Sequence, residues 1–142
     1  MANLTSFVYC LNAERVAGSE GNGDAINAMG ILSTMTPEFV PGAFSFSIIF
    51  AILDVDITAE NKIQITFKNS EGKELVDSGN ILIPGNKESK GSTLPKEYQG
   101  LNMSMDFRNV VFESEGVYTT EVSFNDTLLG VMPIYVKGKR SC

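Results

Sequence analysis

Apolar and polar residues alternate along most of this chain, most clearly in the segment Glu115–Val136. One side of a strand predicted there carries Tyr118, Thr120, Val122 and Phe124. A period of two residues is that of a β-strand with one buried and one solvated face. Asn125 and Asp126 tolerate the positive φ angles of a tight turn, so the segment is predicted to form a β-hairpin. The return strand is predicted to direct these side chains inward: Leu128, Met132, Ile134 and Val136.

The same pattern predicts further strands upstream, at Phe7–Leu11, Ile26–Ser33, Phe44–Val55, Ile63–Lys68, from Glu74 onward, at Ile81–Ile83 and at Leu101–Phe107. Helical periodicity is absent except for one possible turn at Thr36–Glu38, where a proline occupies a first helical position. Many short strands separated by turn residues are typical of a sandwich. We therefore predict an all-β chain, an antiparallel immunoglobulin-like β-sandwich of about eight strands with little or no helix.

The length of 142 residues is sufficient for a single domain with its own core. We predict one domain over 1–142, with loops at about 12–25 and 84–100 and a short, frayed basic tail at 137–142. Gly116 followed by Tyr118 at a strand start indicates either the tyrosine corner of immunoglobulin-like sandwiches or an ordinary core tyrosine.

The longest predicted strand, Phe44–Val55, has an apolar inner side that carries Phe44, Phe46, Ile48, Phe50 and Ile52. Its other side begins with serines and then becomes apolar at Ile49, Ala51, Leu53 and Val55. Exposed apolar side chains that lie together mark contact sites, so these four residues are the candidate interaction face. Two other interpretations stay open: a bulge near Phe50 could exchange the two sides, or the segment Ile26–Ser33 or a loop could cover the face.

Charge and hydropathy exclude several classes of partner. The chain has 11 basic and 17 acidic residues, a net charge of −6, which disfavours nucleic acid. The apolar segment Phe44–Val55 is too short to cross a bilayer, and the first residues lack the pattern of a signal peptide. We therefore expect a cytoplasmic protein without a nucleic-acid or membrane partner.

Candidate chemistry is sparse. No histidine is present, which excludes catalytic triads that depend on imidazole and acid–base catalysis by an imidazole group. Cys10 lies in an apolar run where burial disfavours the thiolate, and a bridge to the terminal Cys142 is not expected. The run Gly18–Gly23 lacks the lysine and the following helix of a phosphate-binding loop, which favours a flexible loop.

Two pairs of acids are candidate sites, Asp54 with Asp56 and Glu113 with Glu115. Paired carboxylates can support glycoside hydrolysis or bind calcium. Acids at strand ends are usually solvated, and the spacing of a calcium loop is missing. We therefore predict no enzyme, no catalytic residue, no metal site and no cofactor.

Four motifs occur in an order that resembles a family of bacterial and phage proteins of unknown function. They are MGILSTM at Met29–Met35, FKNSEGKEL at Phe67–Leu75, EGVYTTEVSFNDTLLG at Glu115–Gly130 and PIYV at Pro133–Val136. The resemblance extends from Phe7 to Val136. It implies a sandwich fold and carries over no catalytic residue.

Two classes of function follow. The first is a non-enzymatic protein-interaction module, regulatory or defence-related, that binds another protein or itself. The second is a structural subunit of a phage particle or another assembly. A small-ligand or calcium-binding protein is a third alternative.

Overall fold

The computed structural model describes residues 2–16, 25–85, 95 and 98–140, and within these ranges it is built from β-strands, with no α-helix. The strands are β1 (Asn3–Val16), β2 (Ala25–Leu32), β3 (Thr34–Met35), β4 (Gly42–Leu53), β5 (Asn61–Lys68), β6 (Glu74–Asp77), β7 (Ile81–Ile83), β8 (Gly100–Phe112), β9 (Gly116–Phe124) and β10 (Thr127–Val136). The prediction of an all-β chain is confirmed for the described residues.

The strands form two sheets. The four-stranded sheet has the order β2-β1-β4-β8, and every pair in it is antiparallel. The six-stranded sheet has the order β3-β10-β9-β5-β6, and β7 also pairs with β5. The short strand β3 is parallel to β10, and the remaining pairs in this sheet are antiparallel.

Aromatic rings from both sheets meet in the core around Phe46. The centroid of its ring lies 4.9 Å from that of Phe107 in the same sheet and 5.3 Å from that of Phe67 in the other sheet. Tilted ring pairs at these distances add to the free energy of simple burial. The predicted inner side of β4 is confirmed, since its central members are buried: Phe46, Ile48, Phe50 and Ile52.

A tyrosine in this core also joins the two sheets by hydrogen bonds. Tyr9 of β1 donates its phenolic hydrogen to the Met132 carbonyl at 2.6 Å, and its oxygen lies 2.7 Å from Thr120 Oγ1. Because a carbonyl only accepts, the Thr120 hydroxyl is the donor of the second bond. Burial raises the pKa of Tyr9 to about 12, and its hydrogen bond with Thr120 opposes the shift.

The tyrosine corner hydrogen bond is present. Tyr118 lies in the core at the start of β9, and its hydroxyl donates to the Ser114 carbonyl at 2.7 Å. A bond from such a tyrosine to the backbone a few residues upstream fixes the corner that leads into the strand.

Three local predictions are wrong. Strand β1 extends through Asn12–Val16, inside the predicted loop at about 12–25, and β2 begins at Ala25 at the other end of that loop; residues 17–24 lie outside the described residues. No helical turn forms at Thr36–Glu38. Instead, the backbone there accepts hydrogen bonds from Lys139 and Arg140, and Arg140 Nε lies 2.8 Å from Glu38 Oε1. The segment 137–140 is therefore paired rather than frayed, since backbone bonds with 35–38 hold it.

Leu128 was predicted to face inward and does not. The register of β10 against β9 shifts between Leu128 and Gly130, so that Leu128 is 53% exposed and Leu129 packs against the core instead. A bulge of this kind exchanges the two sides of a strand.

Truncation of Phe50 tests the importance of the aromatic core. Phe50 is 1% exposed and stacks on Phe7 with ring centroids 6.3 Å apart. Phe50→Ala should lower the free energy of unfolding by about 3–5 kcal/mol, because it removes buried area and leaves a cavity. The same substitution at Phe39, which is 43% exposed, is the control and should cost about 1 kcal/mol or less. Equal denaturation midpoints for the two variants would contradict the assignment.

Removal of the Tyr9 hydroxyl tests the bond between the sheets. Tyr9→Phe should destabilise the fold by about 1–3 kcal/mol at neutral pH, since the buried Thr120 hydroxyl and the Met132 carbonyl lose their partner. The pKa of the Tyr9 phenol rises on folding from 10.0 to about 12, so its contribution to stability is complete below pH 10 and is lost as the pH rises toward 12. The wild type should therefore lose roughly 2 kcal/mol more than Tyr9→Phe over this interval. Parallel pH dependences in urea titrations would contradict this role.

Candidate interaction surfaces

The predicted interaction face lies on the outer side of the four-stranded sheet. Ile49, Ala51 and Leu53 of β4 point away from the core and are half-buried. Polar residues border Ala51, which is paired between Ser6 of β1 and Asn102 of β8, whereas Ile49 is paired with the half-buried Val8 of β1. The apolar surface is therefore a strip along β4 that extends to Val8.

Val55 does not belong to this face, and its assignment was wrong. Strand β4 ends at Leu53, and Asp54 adopts the left-handed region with φ 63°. The alternation of the strand is lost at that residue. Val55 donates its N–H to the Gln99 carbonyl at 3.1 Å and is buried in the core with 1% exposure.

The alternative of a bulge near Phe50 is also wrong. Strand β4 pairs with β8 in continuous register from Phe46 to Leu53. The register shift lies between Phe44 and Phe46, where Asn109 of β8 has φ 53° and donates its N–H to Ser45 Oγ at 2.9 Å. The outward side of β4 therefore stays outward from Ser47 to Leu53, which includes Ile49, Ala51 and Leu53 of the predicted face.

The β1–β2 hairpin covers one end of this side. Strands β2 and β8 are at opposite edges of the sheet, yet they are in contact. Three strand spacings amount to about 14 Å, so this contact requires the hairpin to curl over β4. Cys10 and Ser47, which both point outward, are fully buried beneath it. The segment Ile26–Ser33 therefore covers the outer side of β4 at Ser47. It does not cover Ile49, which stays half-exposed.

The covered end holds a polar row across three strands. The Ser47 hydroxyl donates to Asp106 Oδ1 at 2.5 Å, and Cys10 is paired with Ser47 on the other side. Burial raises the pKa of the Cys10 thiol, and the Asp106 carboxylate adds to the shift. A thiol held in its neutral form is a poor nucleophile.

A second outer surface, on the six-stranded sheet, was missed in the sequence. Each outward position of β10 is apolar and about half exposed: Leu128 is 53%, Val131 47% and Tyr135 48% exposed. Pro133 is exposed between them, and Val117 of β9 lies opposite Tyr135 and is 47% exposed. We call these five residues the β10 face. The sequence TLLGVMPIYV indicates this face, because apolar residues occupy both sides of the strand.

Charges of both signs lie next to the β10 face. Glu121 is paired with Val131, and its carboxylate lies 3.0 Å from Lys68 Nζ on β5. At the hairpin turn, Lys62 Nζ lies 2.8 Å from Asp126. The outer side of this sheet therefore combines an apolar strip with ion pairs.

The two acidic pairs have separate surroundings. Asp54 and Asp56 line one cavity, and Glu115 Oε2 accepts a hydrogen bond from the Gly138 N–H at 2.8 Å. Within the described ranges, no group of three or more histidine, cysteine, aspartate or glutamate side chains is placed to hold a metal ion. None of the described residues forms a helix long and apolar enough to span a membrane.

Comparison with known proteins identifies the family of the chain and no individual relative. The model of a family of unknown function, DUF6941, matches residues 9–137. The chain belongs to this family. The predicted relationship to a family of unknown function is thereby confirmed, and the description of DUF6941 names no activity. No curated protein matches the chain.

Solved structures show only distant likeness. A mutant β-glucosidase from Listeria innocua in complex with laminaribiose is 11% identical, with a TM-score of 0.42 over 72% of this chain and 15% of that chain. The alkylpurine DNA glycosylase AlkC from Pseudomonas fluorescens, bound to DNA containing an abasic site analog, is 12% identical, with a TM-score of 0.38 over 72% of this chain and 28% of that chain. The DUF6941 chain thus spans less than a third of either protein.

The burial of Cys10 can be checked by its reactivity. In a Cys142→Ser variant, the Cys10 thiol should react with a disulfide reagent at least about a hundredfold more slowly than in the same chain in denaturant, because attack needs opening of the hairpin and sheet. The reaction should accelerate in parallel with unfolding as denaturant is added. Rapid reaction of the native variant would contradict the covered position.

Proposed function

We propose that this DUF6941 chain is a non-enzymatic protein-interaction module and that two copies bind each other through the β10 face. The observation that carries the proposal is the unbroken apolar outward side of β10, where Leu128, Val131 and Tyr135 are each about half exposed. A wet sheet face normally alternates apolar and polar sides. A strand with apolar residues on both sides typically has both of its faces covered.

The energetics favour a contact at this strip. Full burial of a side chain such as leucine or valine contributes about 1.5–3 kcal/mol. Because these residues are about half exposed, about half of that contribution is still to be gained from a contact. Contiguous exposed apolar residues with a polar border mark interaction sites. The β10 face meets this description because the Lys68–Glu121 pair lies along one side of it.

The charge pattern supports a second copy as the occupant. In a two-fold interface the same surface meets itself, so a suitable face must be complementary to its own copy. An apolar strip satisfies this condition, and so does a border that carries both a lysine and a glutamate. Under a two-fold axis, Lys68 of one copy can approach Glu121 of the other without like charges being opposed.

The strip of Ile49, Ala51 and Leu53 remains a second proposed contact surface. Its side chains are more buried within the chain than those of the β10 face, and Ser6 and Asn102 border it at Ala51. Because it lies on the opposite outer side of the sandwich, a chain that used both surfaces would assemble in rows. This arrangement supports the alternative function, a structural subunit of a phage particle or another assembly.

We also propose that the sandwich is immunoglobulin-like, which the Tyr118 corner and the two facing sheets support. A bacterial or phage origin, a regulatory or defence role and a cytoplasmic location remain predictions from the sequence.

Light scattering on purified chain tests the proposed self-association. The wild type should be a dimer at high micromolar concentration, and Tyr135→Lys should weaken the dimer at least about tenfold, because it places a charge in the apolar contact. Ile49→Lys should leave the dimer intact, and Leu82→Lys, at a 60% exposed position of β7, is the control.

Three outcomes would contradict the proposed interface. A monomeric wild type would remove self-association altogether. A dimer that only Ile49→Lys dissociates would move the contact to β4. A mass that keeps growing with concentration would favour the structural subunit.

A further inference from the structure

The hairpin of β1 and β2 extends beyond β4 as a ribbon that is two strands wide. Strand β1 pairs with β4 from Asn3 to Cys10, and beyond Cys10 it pairs, within the described residues, with β2 alone. The ribbon comprises residues 11–16 of β1 and 25–30 of β2. A two-stranded ribbon is only marginally stable in water, and a third strand adds hydrogen bonds and apolar contact. This part of the sheet therefore gains most from an added strand.

The free edge of β2 lacks the features that normally protect a sheet edge. Natural edge strands are usually short, or they carry charged residues, prolines or bulges. Strand β2 has eight residues, AINAMGIL, without a charge or a proline. Gly30 has φ 72°, yet the pairing with β1 keeps one register on both sides of it. Strand β8 is in contact with β2, and among the described strands only β1 pairs with β2.

The other edges in the described part of the chain are protected. Strand β8, at the opposite edge of the same sheet, carries Asp106 and Arg108 and has a positive φ at Asn109. In the six-stranded sheet, β3 has two residues, β7 has three, and β6 has an acidic residue at each end. Strand β10, which pairs with β3 over two residues, contains Pro133 and a bulge. The ribbon's other edge, in β1, carries a glutamate and an arginine. Of these edges, β2 combines length with the absence of charge and proline.

The side chains of the ribbon define what an added strand would meet. On one side of β2, Ile31 is 68% exposed and Met29 is 41% exposed. On the other side, a Cβ atom at Gly30 would lie 2.8 Å from Leu11 Cδ1, so the Leu11 side chain lies against the glycine. Leu11 is itself 50% exposed. Both sides of the edge therefore present apolar surface, and one side has a shallow gap at Gly30.

These features decide the chemistry of the added strand. A charged residue opposite β2 would find no charged partner in that strand, whereas β-branched residues pack well beside Met29 and Ile31. An aromatic residue opposite Gly30 can cover both the glycine and Leu11, as aromatic residues do at edge glycines. A flexible segment can follow the backbone at Gly30. A second folded copy would have to match the same positive φ in its own β2, so a separate segment fits the edge better.

We propose that β2 binds an extended, uncharged segment of another protein, which adds to the four-stranded sheet as a fifth, antiparallel strand. The segment places β-branched residues beside Met29 and Ile31 and an aromatic residue opposite Gly30. Every pair in this sheet is antiparallel, which favours the same orientation for the added strand. In this mode of recognition, backbone hydrogen bonds supply affinity and alternate side chains supply specificity. The edge is separate from the β10 face, so the proposal does not depend on the proposed dimer.

A synthetic peptide tests the strand addition. The probe has the sequence KTVFVTK with blocked ends, in which the lysines keep an uncharged, alternating centre in solution. It is titrated into the isotope-labelled full chain that carries Tyr135→Lys, which removes the proposed dimer contact. The backbone NMR signals of β2 should shift with saturation at about millimolar concentration or below. Amide hydrogens of β2 should also exchange more slowly with solvent, because the added strand protects them.

Two modified peptides distinguish backbone pairing from side-chain contact. Successive residues of a strand direct their N–H groups to opposite edges. One peptide is N-methylated at both valines, and the other is N-methylated at the phenylalanine and the second threonine. One of the two should bind at least about tenfold more weakly than the unmodified peptide, and the other should keep its affinity, because only one edge of the peptide faces β2.

Matched variants locate the edge. Ile31→Lys should weaken binding of the unmodified peptide at least about tenfold, because a lysine on an edge strand opposes further pairing. Val111→Lys is the control, since Val111 is 55% exposed on β8, at the opposite edge of the same sheet. It should leave the affinity unchanged. Both positions are exposed, so neither substitution should impair folding.

The proposal is overturned if the unmodified peptide shows no saturable binding, if the two N-methylated peptides bind equally, or if the two lysine variants lose affinity equally. A wild-type dimer that Ile31→Lys dissociates would assign the edge to a second copy and would also overturn it. A monomeric wild type would contradict the proposed contact at the β10 face and leave this test unaffected, because the peptide is titrated into a chain without that contact.

Discussion

The structure depends on the packing of Phe46 against aromatic rings from both sheets. Its neighbours include Phe107 of the same sheet and Phe67 of the facing one, and Phe112 and Tyr118 extend the cluster. Two sheets that bury their inner faces on each other need a continuous apolar layer about 10 Å thick. Large rings fill that layer with few side chains, since each contributes a large buried area.

A polar contact crosses the same layer beside the rings. The Tyr9 phenol reaches from β1 to Thr120 and Met132 of the other sheet, so its hydrogen bonds specify how the sheets are aligned. Dispersion forces and burial depend weakly on direction, whereas a buried hydrogen bond has a narrow range of geometry. The rings therefore hold the sheets together, and Tyr9 fixes their relative position.

With the inner faces committed to the core, the outer faces and the ends of the strands are left for binding. The β10 face arises because both sides of one strand are apolar and only one can be inside. The cavity arises where strand pairing stops, and asparagine side chains, Asn61 and Asn125, take over the hydrogen bonding of the backbone.

The sequence by itself determined the all-β class, the inner side of β4 and the hairpin of β9 and β10, because a period of two residues and local turn residues are properties of neighbouring positions. It left Tyr118 open between a tyrosine corner and an ordinary core tyrosine, and the structure decided for the corner bond. It also placed Ile49, Ala51 and Leu53 on the outer side. Only the tertiary structure decided that the positive φ of Asp54 would interrupt the alternation of β4 and bury Val55, that the β1–β2 hairpin would cover Cys10, and that a bulge would turn Leu128 outward. It likewise brought Asp54 and Asp56 to the same cavity as Phe124 and Asn125. These outcomes depend on contacts between residues far apart in the chain, and local alternation carries no information about which distant strand or loop will arrive.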